Sequence, residues 1–122
     1  MADISYSVTV AVNKDNLTNN LSASSVTATM NNAGLKSVTY TLTTTAVSVS
    51  TANLTAVGLA FLRNLSTATA ATAQFGIDAG GSFGSLCTLR AGEPAVFRLS
   101  AGTNYAAIGS SGARLRVDIL EG

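Results

Sequence analysis

Apolar and polar residues alternate along most of this chain, as they do in strands that bury one face. The first run is the most regular: every second position from 4 to 12 is apolar, namely Ile4, Tyr6, Val8, Val10 and Val12. This pattern predicts one long strand. The segment from 13 to 24 is rich in Asn and Ser, which favour turns, and is predicted to form a long loop.

A hairpin is predicted next, because alternation over 26–30 leads through Asn31-Asn32-Ala33-Gly34 into a second alternating segment at 35–43. Apolar residues occupy even positions up to Leu42 but odd positions at Val47 and Val49. The buried face therefore changes between 43 and 46, which predicts a bulge or a corner there.

The second half reads as short strands separated by glycine turns. The predicted strands are Leu59–Leu65, Thr72–Ile77, Phe83–Leu89, Ala95–Leu99, Asn104–Ile108 and Ala113–Leu120. Gly80-Gly81, Ala91-Gly92, Ala101-Gly102 and Ser111-Gly112 supply the backbone freedom that tight reversals need. Strands at this spacing predict an all-β sandwich or barrel, and residues 1–122 are expected to form a single domain.

The composition excludes several classes of function. Charged residues make up 11% of the chain and the net charge is +1, so no basic surface for nucleic acid is predicted. The chain has no His and a single Cys, Cys87, which rules out Ser-His-Asp and Cys-His centres and His-ligated zinc. Cys87 is predicted to be a small core residue. We therefore expect a non-enzymatic protein with no catalytic residues, no cofactor and no metal.

The amino-terminal residues lack a basic flank followed by an apolar run, and no apolar stretch approaches the length that spans a membrane. We therefore expect synthesis in the cytoplasm and no membrane partner.

Charged residues near the end of the chain form a candidate interface. Arg114 and Arg116 alternate with apolar residues, which places both guanidinium groups on the opposite face of a strand, beside Asp118. Arginine makes planar paired contacts at interfaces, so either an exposed sheet face or an intersubunit or scaffold contact is predicted here. Glu93 and Arg98 flank Pro94 and are candidates to pair, locally or across an interface.

Residues 59–122 contain four successive motifs. These are an apolar strand ending in Asn-Leu, a Gln-Phe-Gly strand, a Gly-Gly-x-Phe hairpin and a Leu-x-x-Gly-Glu-x-Ala-x-Phe-Arg-Leu unit. The residues that carry it are Asn64, Leu65, Phe75, Gly76, Gly80, Gly81, Phe83, Gly92, Glu93, Pro94, Phe97, Arg98 and Leu99. Together they resemble a family of small tailed-bacteriophage virion proteins with jelly-roll-like antiparallel β-sandwich folds. The residues before 59 carry no such resemblance.

That resemblance implies a capsid decoration, or cement, protein: a structural homotrimer that sits on the outer capsid surface of the virion and binds the major capsid protein. A head-fibre or tail-fibre knob of the same fold is the alternative within virions. A carbohydrate-binding module is a further alternative, weakened because the chain has no Trp and three Tyr for sugar platforms.

Overall fold

The computed structural model describes residues 3–30, 32–52 and 54–122, and it divides the chain into two compact units, residues 1–31 and 32–122. The described residues form ten strands: β1 Ile4–Lys14, β2 Leu17–Ala28, β3 Leu35–Thr41, β4 Val47–Val49, β5 Val57–Asn64, β6 Thr72–Ala79, β7 Ser82–Arg90, β8 Pro94–Arg98, β9 Tyr105–Gly109 and β10 Arg114–Glu121.

The second unit contains two four-stranded antiparallel sheets, ordered β3-β10-β5-β8 and β4-β9-β6-β7. Only the β6–β7 connection stays within one sheet, and every other connection carries the chain from one sheet to the other. Eight strands wound in this way form a jelly roll. The predicted fold class, a jelly-roll-like antiparallel β-sandwich, is confirmed.

The core lies between these two sheets. Leu115, Val117 and Ile119 of β10 are at most 2% exposed and face it. Phe75 of β6 stacks on Tyr105 at a ring-centroid distance of 5.4 Å and meets Phe97 of β8, from the other sheet, at 5.7 Å. Aromatic contacts of this kind add to the burial of apolar area and tie the two layers together.

The strands predicted for the second half are confirmed to within two residues at each end. The five glycines of the predicted turns, Gly80, Gly81, Gly92, Gly102 and Gly112, all have positive φ angles, which side chains strongly disfavour. The predicted corner is also confirmed: β3 ends at Thr41, and the chain enters the other sheet at Val47.

The first unit is a single long hairpin of β1 and β2, and here two predictions are wrong. The segment predicted as a loop at 13–24 is mostly strand, because Leu17, Leu21 and Ala23 alternate with polar residues and pair with β1. The predicted hairpin between 26–30 and 35–43 is not formed. Residues 26–28 pair with β1 instead, and β3 pairs with β10. Of the turn predicted between them, Asn31 lies outside the described residues.

Candidate functional site

The candidate interface lies on the outer face of the β3-β10-β5-β8 sheet. On β10, Leu115 and Val117 point into the core, so Arg114 and Arg116, which alternate with them, are exposed on the opposite side. The predicted orientation of both arginines is therefore confirmed. Their guanidinium groups project from a central strand that has a paired neighbour on each side.

Strand register brings residues from β5 to the same place. Arg63 lies directly opposite Arg116, and Phe61 lies directly opposite Asp118. Arg63 is exposed, and Phe61 keeps 39% of its surface exposed, which is high for a phenylalanine. We call the patch formed by Phe61, Arg63, Arg114, Arg116 and Asp118 the arginine face.

Asp118 supplies the negative charge of the arginine face. Its Oδ2 accepts a hydrogen bond from Nε of Arg116 at 2.8 Å, and the two side chains form an ion pair along the strand. Its Oδ1 is buried and has no hydrogen-bond partner among the described residues.

Three guanidinium groups and one carboxylate leave the arginine face with an excess of positive charge beside an exposed aromatic ring. Guanidinium groups bind carboxylates through paired, parallel hydrogen bonds. Arginine and phenylalanine are also enriched in protein–protein interfaces. The chemistry of the face therefore suits an acidic protein surface that also offers an apolar contact.

Arg63 and Phe61 were missed by the sequence analysis as members of this site. They lie more than fifty positions from Arg116 along the chain, and only the β5–β10 register brings them together. Alternation on β5 gives a partial signal, because Ala60 and Leu62 are buried while Phe61 and Arg63 face outward.

The residues that carry the family resemblance have mainly structural positions. Asn64 is fully buried at the end of β5, and its Nδ2 donates to the carbonyl oxygen of Leu89 at 3.0 Å. Its Oδ1 accepts from the backbone N–H of Ser66 at 3.0 Å. This one side chain thus joins the end of β5, the loop that follows it and the end of β7.

The turn before β8 is held by Glu93. Its Oε1 accepts from the backbone N–H of Arg90 at 2.6 Å, and Gly92 has a φ of 84°. Among the described residues Glu93 makes no ion pair with Arg98, so the local form of the predicted pairing is not found. Arg98 is exposed on edge strand β8, and Pro94 is the first residue of that strand.

The remaining residues of the pattern fill or close the sandwich. Phe75, Phe97 and Leu99 contribute to the core. Gly76 lies so close to the carbonyl oxygen of Gly84 that no side chain fits there. Gly80 and Gly81 form the β6–β7 turn, Phe83 is half-buried on β7, and the backbone N–H of Leu65 donates to the carbonyl oxygen of Arg114 at 2.8 Å.

Cys87, predicted to be a small core residue, lies half-buried on β7 and packs against the core without being fully buried. Burial raises the pKa of its thiol, and this outweighs a backbone hydrogen bond at Phe75 that acts in the opposite direction. A thiol held protonated in this way is a weak nucleophile.

A second feature is a hollow of about 570 Å³ beside β3. Glu121, which is 5% exposed, lines it and accepts from the backbone N–H of Thr55 at 2.5 Å. Lys36 also lines the hollow and donates to the carbonyl oxygen of Ala52 at 3.3 Å. Both charged groups are thus bonded to backbone atoms of the neighbouring loop.

Within residues 3–30, 32–52 and 54–122, no three His, Cys, Asp or Glu side chains come together as a set of metal ligands. No helix in the described part of the chain is long and apolar enough to cross a membrane. No family model matches the chain, and no curated protein matches it.

Proposed function

We propose that this chain is a capsid decoration protein of a tailed phage, a non-enzymatic homotrimer that binds the major capsid protein on the outside of the head. The observation that carries the proposal is the arginine face, where Arg63, Arg114 and Arg116 share one sheet face with a single carboxylate, Asp118, and an exposed Phe61. The resemblance of residues 59–122 to tailed-phage virion proteins indicates that the particle it binds is a phage head.

The jelly roll supports this role physically. The arginine face is built on two adjacent central strands, β10 and β5, whose opposite side is packed into the core. Its side chains are therefore carried by a rigid backbone, as a docking surface requires. Three copies in a trimer would bind the shell through three such faces, so each contact can be weak while the assembly holds.

The proposal is tested by binding of purified protein to heads that lack it. Arg63→Gln and Arg114→Gln each remove one positive charge that makes no ion pair within the described part of the chain. Each should weaken attachment by about tenfold, the usual loss when a charged hydrogen bond is removed.

Arg90→Gln is the matched control, because it removes the same charge from β7 of the other sheet. It should leave attachment within about twofold of wild type, the scale of a change in net charge alone. Equal losses from all three variants would show that net charge, and not the arginine face, governs attachment. Binding to a glycan array with no attachment to heads would favour the fibre-knob or carbohydrate-binding alternatives instead.

A further inference from the structure

β3 is an edge strand of the β3-β10-β5-β8 sheet, so one side of its backbone has no neighbouring strand. At its two ends, the backbone N–H of Glu121 donates to the carbonyl oxygen of Gly34, and that of Leu42 donates to β10 at Ala113. Hydrogen-bonding direction alternates along an antiparallel strand, so the even-numbered residues of β3 bond to β10. None of the backbone groups that point the other way forms a hydrogen bond with another described residue. They belong to Leu35, Ser37, Thr39 and Thr41.

This free edge lacks the features that protect exposed strands from pairing, which are short length, proline, charge and bulges. The other edge strands of the jelly roll have them: β4 has three residues, β8 has five and begins with Pro94, and β7 has a bulge at Leu86. β3 has seven residues, no proline and an unbroken register with β10. Its one charged residue, Lys36, points to the inner side of the sheet, where it pairs with Ile119. Of the described edges, that of β3 is therefore the one most open to a further strand.

The outer side of this edge adjoins the arginine face. Register with β10 places Thr39 directly opposite Arg116 and Thr41 directly opposite Arg114. Neighbouring strands are about 4.8 Å apart, so an added strand would lie about 10 Å from β10, across these short threonine side chains. Glutamate and arginine side chains are long enough to meet over them and to form charged hydrogen bonds. The outer side therefore favours carboxylates on the added strand.

The inner side of the edge opens into the hollow of about 570 Å³ beside β3. Val38, Ala52 and Leu54 contribute apolar atoms to its lining. The charged groups of Lys36 and Glu121 that also line it already bond to backbone atoms. Alternate side chains of an added strand would point towards this hollow, which therefore favours small apolar residues.

Charge complementarity distinguishes an acidic strand from a second copy of this chain as the occupant. Pairing of two β3 edges would place two arginine faces on one continuous sheet surface, where their positive charges would repel each other. An acidic strand would neutralise that charge instead. We propose that the major capsid protein adds an extended segment to the free edge of β3 as a fifth antiparallel strand, with carboxylates towards the arginine face and small apolar side chains over the hollow. This inference rests on the proposed function for the identity of the partner, whereas the chemistry of the edge is testable without capsids.

The first test is an NMR titration of the unmodified protein with the peptide acetyl-Val-Glu-Val-Glu-Val-Glu-Val-amide. The backbone N–H signals of Ser37 and Thr39 should shift and exchange more slowly with solvent, because the peptide now accepts their hydrogen bonds. Replacing every glutamate of the peptide by lysine should weaken binding by about tenfold or more, since attraction to the arginine face becomes repulsion. Absence of binding at millimolar acidic peptide, or equal binding of both peptides, would overturn the inference.

Methylation of single peptide nitrogens tests the backbone pairing. In an antiparallel strand with its glutamates towards the arginine face, the glutamate N–H groups point to β3 and the valine N–H groups point away. N-methylation of the central glutamate should therefore weaken binding by about tenfold or more. N-methylation of the adjacent valine is the matched control and should change binding by less than about threefold. Equal losses, or a larger loss from the valine, would contradict the proposed pairing.

The second test asks whether capsids use this edge. Thr39→Pro removes an N–H that forms no hydrogen bond in the described part of the chain, and proline is tolerated at such edge positions. It prevents pairing with an added strand and should weaken attachment to heads by about tenfold or more. Thr88→Pro is the matched control, because the N–H of Thr88 points away from β6 on edge strand β7 of the other sheet. It should attach as the wild-type protein does.

The results also separate this inference from the capsid proposal. Heads that bind wild-type and Thr39→Pro proteins equally would retain the capsid role and remove the added strand. Peptide binding that depends on the glutamate N–H, together with heads that remain bare, would retain the β3 edge as a site for an acidic strand and remove the capsid role.

Discussion

Arg63 of β5 and Arg116 of β10 lie directly opposite each other in the register of one sheet, with both side chains exposed. Like charges in directly opposed positions destabilise a sheet. Asp118 bonds to Arg116 through one oxygen, and no ion pair is formed by Arg63 among the described residues. The repulsion between Arg63 and Arg116 lowers the stability of the isolated chain. A partner that places carboxylates over the two side chains would remove this repulsion.

Replacing Arg63 should therefore separate stability from binding. Arg63→Gln removes the repulsion and is expected to raise the free energy of unfolding by about 0.2–1 kcal/mol, measured by urea denaturation, while it weakens binding to heads. Arg90→Gln, whose cross-strand partner is Thr72, should change neither quantity appreciably. A less stable Arg63→Gln protein would show that this arginine supports the fold.

Asn64 should be the most sensitive polar position of the jelly roll. Asn64→Ala leaves the carbonyl oxygen of Leu89 and the N–H of Ser66 without their side-chain partners in a buried place. The expected loss is about 2–4 kcal/mol in the free energy of unfolding. Asn104→Ala, at an exposed position before β9, is the control and should cost less than about 0.5 kcal/mol. Similar losses at both positions would refute the role given to Asn64.

Two glycines of the β6–β7 hairpin should respond differently to the same change. A Cβ at Gly76 would collide with the backbone carbonyl of Gly84, whereas a Cβ at Gly84 would meet its nearest atom, the carbonyl oxygen of Ile77, at 4.0 Å. Gly76→Ala is expected to destabilise by more than about 2 kcal/mol, since backbone must move. Gly84→Ala should be neutral or stabilising by up to about 1 kcal/mol. Thermal unfolding of both variants measures the contrast, and equal melting temperatures would contradict it.

The raised pKa of the Cys87 thiol predicts slow alkylation in the folded protein. Because burial raises the pKa of Cys87 in the folded chain, less thiolate is present at mildly alkaline pH than in the unfolded chain. Alkylation by iodoacetamide should therefore be slower in the native protein than in urea. Equal rates would show that Cys87 is freely accessible.

The same shift sets the sign of its effect on stability. The folded state holds the thiol proton to higher pH than the unfolded state, so this contribution to stability is fully present below the unfolded pKa and is lost as pH rises through the folded pKa. Cys87→Ser should remove that alkaline decline from the pH dependence of unfolding. A decline of unchanged size in the variant would assign it to another group.

The jelly-roll half was predictable because local signals agree with its tertiary structure. On β10 the alternation from Arg114 to Glu121 matches the buried and exposed sides, and the turn glycines stand where positive φ angles are needed. The order of strands within the sheets was not given by these signals. It depends on pairing between distant segments, such as β3 with β10.

The hairpin shows why residues 13–30 were misinterpreted, whereas the long strand predicted over 4–12 is formed as β1. Asn and Ser favour turns when their local preference alone decides. In β2 they form a strand instead, because β1 pairs with β2 along nearly its whole length. The bulge at Ser24 and Ser25 also shifts the period of alternation, so a strict two-residue pattern does not extend through β2. Of the arginine face, Arg114 and Arg116 were predictable from alternation on one strand, whereas Phe61 and Arg63 required the register.

Electron microscopy of phage heads decorated with the purified protein tests the central claim most directly. The account predicts threefold density at the junctions between capsomers, with the β3-β10-β5-β8 sheet turned towards the shell so that Arg63, Arg114 and Arg116 face acidic residues of the major capsid protein. Density at fibre tips, or heads that remain bare at saturating protein, would contradict it.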